Sequence, residues 1–171
     1  MFKTKQAKVL IIESDDFFRK KLSEHLKFGK YKVFELSNAT DIGEFLNNND
    51  IDVVLLCIKG FKQISLSILK EIKKKSPFTE VILIVPLDDL SLSIEGMKLG
   101  AFDDLLIPFD IETLLQKVKA AFNQKKERAK LKNLKTIISI LGGIILCLIH
   151  NQKILTGKDP FLFFWDLLFS F

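Results

Sequence analysis

Reactive side chains follow two strongly apolar segments of the chain. Glu13, Asp15 and Asp16 come directly after the apolar run VLII, and Cys57 lies near the end of a second run, VVLLCI. Carboxylates directly after an apolar run can bind a cation or cap the start of a helix. A thiol can act as a redox switch or a metal ligand, or it can simply be buried in the core. Apolar residues at helical spacing after Asp16 favour the capping interpretation. No second cysteine or histidine is expected near Cys57, which favours a buried thiol.

Short apolar runs alternate with amphipathic segments over the first two-thirds of the sequence. The predicted strands span residues 9–12, 31–36, 53–58, 81–85 and 104–107. The predicted helices follow Asp16 and span residues 41–46, 64–75, 90–99 and 111–122. Gly29 should end the first helix in the left-handed conformation that glycine tolerates, and Gly100 should end the fourth. Five such units predict an α/β fold with a doubly wound parallel sheet, whose functional crevice lies beyond the carboxyl ends of the strands.

The charge of this 171-residue chain is unevenly distributed. Residues 1–116 carry 16 basic and 18 acidic side chains, residues 117–135 carry eight and one, and residues 136–171 carry two of each. The chain thus has a near-neutral body, a basic neck and an apolar end with no net charge. A nucleic-acid binder more often spreads basic residues over its body, so no nucleic-acid partner is expected. Two distant cysteines, Cys57 and Cys147, indicate a reducing compartment and no disulfide framework.

Several stretches of the body resemble the receiver domains of bacterial response regulators. They are AKVLIIESDD, DVVLLCIKG, LKEIKKKSPFTEVILIV and EGMKLGAFDDLLIPFDIETLLQKVKAAF. The resemblance runs from about Lys8 to Phe122 and implies a flavodoxin-like (βα)5 fold with strand order 2-1-3-4-5. C-terminal apolar helices would follow it.

The resemblance also implies a phosphorylation site, and this chain departs from it at most positions. Family receivers carry a phosphoacceptor aspartate, a pair of acidic Mg²⁺ ligands, a hydroxyl residue and a lysine. The corresponding residues here are Cys57, Glu13 with Ser14, Val85, and Ile107 before a retained Pro108. We therefore expect a degenerate pseudo-receiver with no enzyme activity and no cofactor. Glu13 and Asp15 remain as a poor candidate cation site, since Mg²⁺ prefers several oxygen ligands.

A chain that keeps the receiver fold without its chemistry is expected to act through protein contacts. The resemblance places the partner-binding face between Leu90 and Phe122, with Asp104 at the position of the family's aromatic switch residue. Expected partners are a histidine kinase, another signalling protein or a membrane complex, and a homodimer is a further possibility. The competing enzyme hypothesis is a phosphoreceiver with an atypical acceptor, Asp15 or Asp104.

The C-terminal end predicts attachment to a membrane. We divide the chain into a receiver-like domain at 1–124, a basic linker or helix extension at 125–135 and a hydrophobic tail at 136–171. The tail contains a candidate membrane helix at 134–153 and a short interfacial helix at 160–171. The residues expected to contact lipid are Lys125, Lys126, Arg128, Lys130, Lys132, Lys135 and Trp165.

Basic residues beside an apolar segment mark the cytoplasmic side of a membrane. The expected location is therefore the bacterial cytoplasm, at the inner face of the cytoplasmic membrane. Two alternatives stay open: the tail is a helical packing element of a soluble dimer, or it derives from a truncated or fused reading frame.

Overall fold

The structure, a computed structural model, describes residues 6–59 and 62–156, with side chains for residues 6–59 and 64–147. The chain divides into two compact units, with the boundary between Arg128 and Ala129. The first unit therefore continues four residues past the limit predicted at residue 124.

In the described residues, ten main elements alternate between strand and helix. In order they are β1 (Lys8–Ile12), α1 (Asp16–Phe28), β2 (Lys32–Leu36), α2 (Ile42–Asn48), β3 (Val53–Cys57), α3 (Lys62–Lys75), β4 (Glu80–Pro86), α4 (Leu90–Lys98), β5 (Asp103–Ile107) and α5 (Ile111–Thr156). A short 3₁₀ turn, Leu87–Asp89, leads into α4. The five strands are parallel and lie in the order β2-β1-β3-β4-β5. The predicted α/β flavodoxin-like fold is confirmed.

The sheet separates two apolar layers. Leu22 of α1 and Val118 of α5 pack on one face, and Ile42 of α2 and Leu69 of α3 pack on the other. Every residue of β3 is buried, because this strand lies between two neighbours and under helices on both sides. Such continuous burial explains why the central strands are apolar at every position rather than at alternate ones.

The first helix begins as predicted and ends differently. Asp15 caps α1, and its Oδ1 accepts a hydrogen bond from the Phe18 amide at 3.0 Å. The prediction of a left-handed Gly29 is wrong: its φ is −69°, and Lys30 takes the left-handed value of 64°. Gly29 N–H still donates to the His25 carbonyl at 3.0 Å, so the last helical turn includes Gly29. The left-handed residue that ends the helix is Lys30, one position later.

Helix α5 is much longer than the predicted 111–122. Residues 123–135 are mostly Lys, Gln, Glu, Arg, Leu and Ala, which favour helix, and no proline interrupts them. The segment predicted at 125–135 as a basic linker or helix extension is therefore helical, and the helix continues through Gly142 and Gly143. Between residues 129 and 147 nearly all side chains are exposed, including many large apolar ones.

The predicted membrane segments fall in and beyond this part of α5. In the part of the chain that the structure describes, no helix has the length and apolar character needed to cross a membrane. The candidate membrane helix at 134–153 lies only partly among residues with described side chains. The short helix predicted at 160–171, with Trp165, lies outside the described residues.

The glycine of α4 allows that helix to lie close to the sheet. A Cβ at Gly96 would collide with Cδ1 of Leu83, which is fully buried in β4. We expect Gly96→Ala to lower the free energy of unfolding by about 1–3 kcal/mol through overpacking. Gly142→Ala is the matched control, because nothing lies within 4 Å of a Cβ there and alanine favours helix by about 1 kcal/mol. Urea midpoints check both, and a Gly96→Ala protein as stable as wild type would contradict the close packing.

Candidate functional site

In the acidic turn after β1, the carboxylates of Glu13, Asp15 and Asp16 each accept a hydrogen bond from within the turn or from the start of α1. The Glu13 side chain is 4% exposed, and its Oε1 accepts from the Asp15 amide at 2.8 Å and from the Ser14 hydroxyl at 3.3 Å. Asp15 caps α1 with its own carboxylate. Glu13 and Asp15, the predicted remnant of a cation site, are thus both engaged in shaping the start of the helix.

A positively charged side chain, Arg19, contacts this turn. The guanidinium of Arg19 donates to the carbonyl oxygen of Glu13 at 2.6 Å, forms an ion pair with Asp16, and lies 3.9 Å from Oε2 of Glu35. The Arg19 side chain is only 13% exposed. Our sequence reasoning missed this residue, although the i, i+3 spacing of Asp16 and Arg19 on a helix signals such a pair.

The thiol of Cys57 lies at the carboxyl end of β3, where the resemblance expects a phosphoacceptor. The residue is 1% exposed and its thiol is hydrogen bonded to the Glu13 carboxylate. Burial raises the pKa of Cys57 well above the usual range of a thiol, and the nearby negative charge of Glu13 raises it further. The thiol is therefore protonated at neutral pH and is a poor nucleophile.

The ends of the next two strands carry apolar side chains. Val85 is fully buried in β4 and joins the apolar layer that contains Leu83. Ile107, at the end of β5, packs on the opposite layer, and its bond to Pro108 is cis. At the strand ends where the family has a hydroxyl and a lysine, this chain offers neither a hydrogen-bond donor nor a positive charge.

The two cysteines should differ sharply in reactivity. Cys57 is buried with a raised pKa, and Cys147 is exposed. In lipid-free buffer at pH 7.5, we expect a thiol reagent to modify one cysteine quickly and the second only when urea unfolds the chain. A Cys147→Ser protein is the control and should lose the fast phase. Fast double labelling of the native wild type would contradict the buried position of Cys57.

Asp104 connects β5 to α4 on the predicted partner-binding face. Its Oδ2 accepts a hydrogen bond of 2.6 Å from the hydroxyl of Ser93, which is buried. Along the outer side of α4 and the turn before it, four large apolar residues are exposed at spacings of three, four and three: Leu87, Leu90, Ile94 and Met97. We call these four residues the α4 stripe. Such spacing places them on one side of a helix.

Carboxylates near the amino ends of β3 and β4, of which Asp52 and Glu80 are buried, bind the part of α5 nearest the domain boundary. Lys125 Nζ lies 2.8 Å from Asp50 Oδ1 and 3.0 Å from Asp52 Oδ1, and Arg128 lies 2.9 Å from Oε1 of Glu80. We predicted Lys125 and Arg128 as lipid contacts, and the structure places their charges in these ion pairs. The pairs also explain why the first unit extends to Arg128.

Of the other predicted lipid contacts, Lys126, Lys130, Lys132 and Lys135 are exposed on α5. Lys126 Nζ lies 4.2 Å from the centre of the Phe122 ring. Among residues 6–59 and 62–156, no group of three or more His, Cys, Asp or Glu could hold a metal ion.

The strand order and the helices on both faces of the sheet define a receiver-like fold. The family model described as "Response regulator receiver domain" matches residues 9–119, and the chain belongs to that family. A crystal structure of a response regulator receiver domain protein from Clostridium thermocellum is 34% identical, with a TM-score of 0.66 over 70% of this chain and 97% of that one.

Longer curated relatives also match this chain. A cyclic di-GMP phosphodiesterase of Thermotoga maritima is 28% identical over 91% of this chain, and the DNA-binding transcriptional regulator NtrC of Proteus hauseri is 32% identical over 67%. The chain spans 41% of the first protein and 24% of the second. The chain is thus a receiver domain of the response regulator type, a signalling module.

Proposed function

We propose that this receiver signals without being phosphorylated. The observation that carries the proposal is the set of side chains at three neighbouring strand ends, Cys57, Val85 and Ile107. Phosphoryl transfer to a receiver needs an ionised nucleophile and positive or hydrogen-bonding groups that stabilise the transferred charge. A protonated thiol beside two apolar side chains provides none of these.

The acidic turn supports the same proposal. A divalent cation there would need several free carboxylate oxygens, and Oε1 of Glu13 and Oδ1 of Asp15 already accept hydrogen bonds from backbone amides. Arg19 supplies a positive charge to this turn from within the protein. The turn can therefore keep its conformation without a metal.

An atypical acceptor is the competing hypothesis, and the two candidate aspartates have structural roles. Asp15 caps α1, and Asp104 accepts a hydrogen bond from Ser93. We expect the intact mass of the full chain to stay unchanged after incubation with acetyl phosphate and Mg²⁺, while a receiver with a complete site gains a phosphoryl group in the same tube. An alkali-labile adduct that disappears in Asp15→Asn or Asp104→Asn would refute the proposal.

The output of such a domain passes through protein contacts, for which the α4 stripe is the best-supported surface. It is apolar, exposed and next to the Asp104–Ser93 hydrogen bond. We expect Ile94→Asp to abolish signalling output in the cell of origin, measured against Phe28→Asp as a matched control. Phe28 is 90% exposed on α1, so both changes place a charge at an exposed apolar position. Loss of output only in Phe28→Asp would place the partner on α1 instead.

The second part of the proposal is attachment to the inner face of the cytoplasmic membrane through the tail. Its support is the exposed apolar surface of α5 after residue 130, preceded by basic residues that attract anionic headgroups. The full chain is expected to float with vesicles that contain anionic lipid, and Ile138→Asp/Leu141→Asp should abolish flotation. A full chain that stays lipid-free as a concentration-dependent dimer would replace attachment by the soluble-dimer alternative.

A further inference from the structure

The tail helix has two different sides between residues 132 and 145. At 100° per residue, six large apolar residues fall within an arc of about 120°: Leu134, Ile137, Ile138, Leu141, Ile144 and Ile145. These six side chains are 51–60% exposed. The opposite arc of about 120° carries Lys132, Lys135, Thr136, Ser139, Gly142 and Gly143. Ile140 is also exposed and lies between the two arcs, and Leu146, just after this stretch, is a large apolar residue on the polar arc.

We propose that this segment lies flat in the headgroup region of an anionic membrane, with the apolar arc towards the acyl chains. The inference rests on the proposed membrane attachment and adds the orientation of the helix. A helix with one apolar side and one small, polar or basic side suits the interface, whereas a helix surrounded by lipid is apolar all round. The orientation keeps Ser139 and both glycines in contact with water.

The width of the apolar arc favours lipid over a second copy of the chain. A two-stranded coiled coil covers a narrow seam of two residues per heptad. Leu134, Ile138, Leu141 and Ile145 have that spacing, but Ile137 and Ile144 would remain exposed beside the seam. A membrane surface covers all six residues at once. Lys132 and Lys135 reach the same interface from the polar side, where each basic residue contributes about 1 kcal/mol with anionic lipid.

Two cysteine probes, one on each arc and only two residues apart along the helix, test the orientation. We would make Ser139→Cys and Leu141→Cys in the full chain carrying Cys147→Ser, and leave the buried Cys57 unchanged. Each protein reacts with a charged, water-soluble maleimide, alone and with phosphatidylglycerol–phosphatidylcholine vesicles. We expect vesicles to slow labelling of Leu141→Cys about ten-fold or more and that of Ser139→Cys less than about two-fold.

The other outcomes separate failure of the orientation from failure of attachment. Equal and strong protection of both probes by vesicles would overturn the flat orientation and leave the attachment standing. Absence of flotation with anionic vesicles would overturn both. Protection of Leu141→Cys without lipid, with an intermolecular disulfide at that position, would show that a second copy covers the arc and would also overturn the inference.

Discussion

Cys57→Asp is expected to destabilise the receiver by about 3–5 kcal/mol at pH 8, even though it restores the family's acceptor residue. The new carboxylate would be buried beside Glu13, which is 4% exposed. The position where the family has a lysine is Ile107, and the Arg19 guanidinium already contacts the Glu13 carbonyl and Asp16. No described positive group is therefore placed to compensate the added charge.

The pH dependence of that variant identifies the cause. Burial and the Glu13 charge would raise the folded-state pKa of the introduced carboxyl, so stability is highest at low pH and is lost as the pH rises towards that pKa. Cys57→Asn has the same shape without the charge and should show a smaller loss that is nearly constant from pH 5 to pH 8. Urea midpoints at both pH values test this. Equal stability of the two variants at pH 8 would show that a negative charge is tolerated there.

Lys73→Met is expected to cost about 3 kcal/mol, because it removes a partner from a buried carboxylate. Lys73 Nζ lies 3.2 Å from Oε2 of Glu80 and donates to the Thr79 carbonyl at 2.9 Å. Glu80 is 1% exposed, and its remaining ion-pair partner, Arg128, has a half-exposed side chain. Burial lowers the pKa of Lys73, so the ammonium already carries a desolvation cost that Glu80 offsets.

A double-mutant cycle separates this ion pair from ordinary packing. Lys73→Met/Glu80→Gln removes both charges, and we expect it to recover more than half of the stability lost in Lys73→Met alone, as replaced buried pairs often do. Chemical unfolding of the two single variants and the double variant measures the coupling energy. Simple additivity of the two changes would mean that Lys73 stabilises the fold independently of Glu80, through contacts such as its hydrogen bond to the Thr79 carbonyl.

The sequence was sufficient to predict which residues stand at the strand ends. Strand positions were readable because a parallel sheet covered on both faces demands unbroken apolar runs, and β3 is such a run. The pattern also showed Cys57, Val85 and Ile107 at the crevice. It could not show that Cys57 is hydrogen bonded to Glu13, since residues 44 positions apart meet only when β1 and β3 pair.

The roles of the basic residues were decided by the tertiary structure. Composition grouped Lys125 and Arg128 with the other residues of the basic neck, but the folded chain brings them to Asp50, Asp52 and Glu80. The sequence alone does not show which basic residues of a charged run face the rest of the protein, because that depends on how their helix packs. Apolar periodicity is a local property of the chain and can be read directly, whereas the partner of each charge depends on contacts between distant segments.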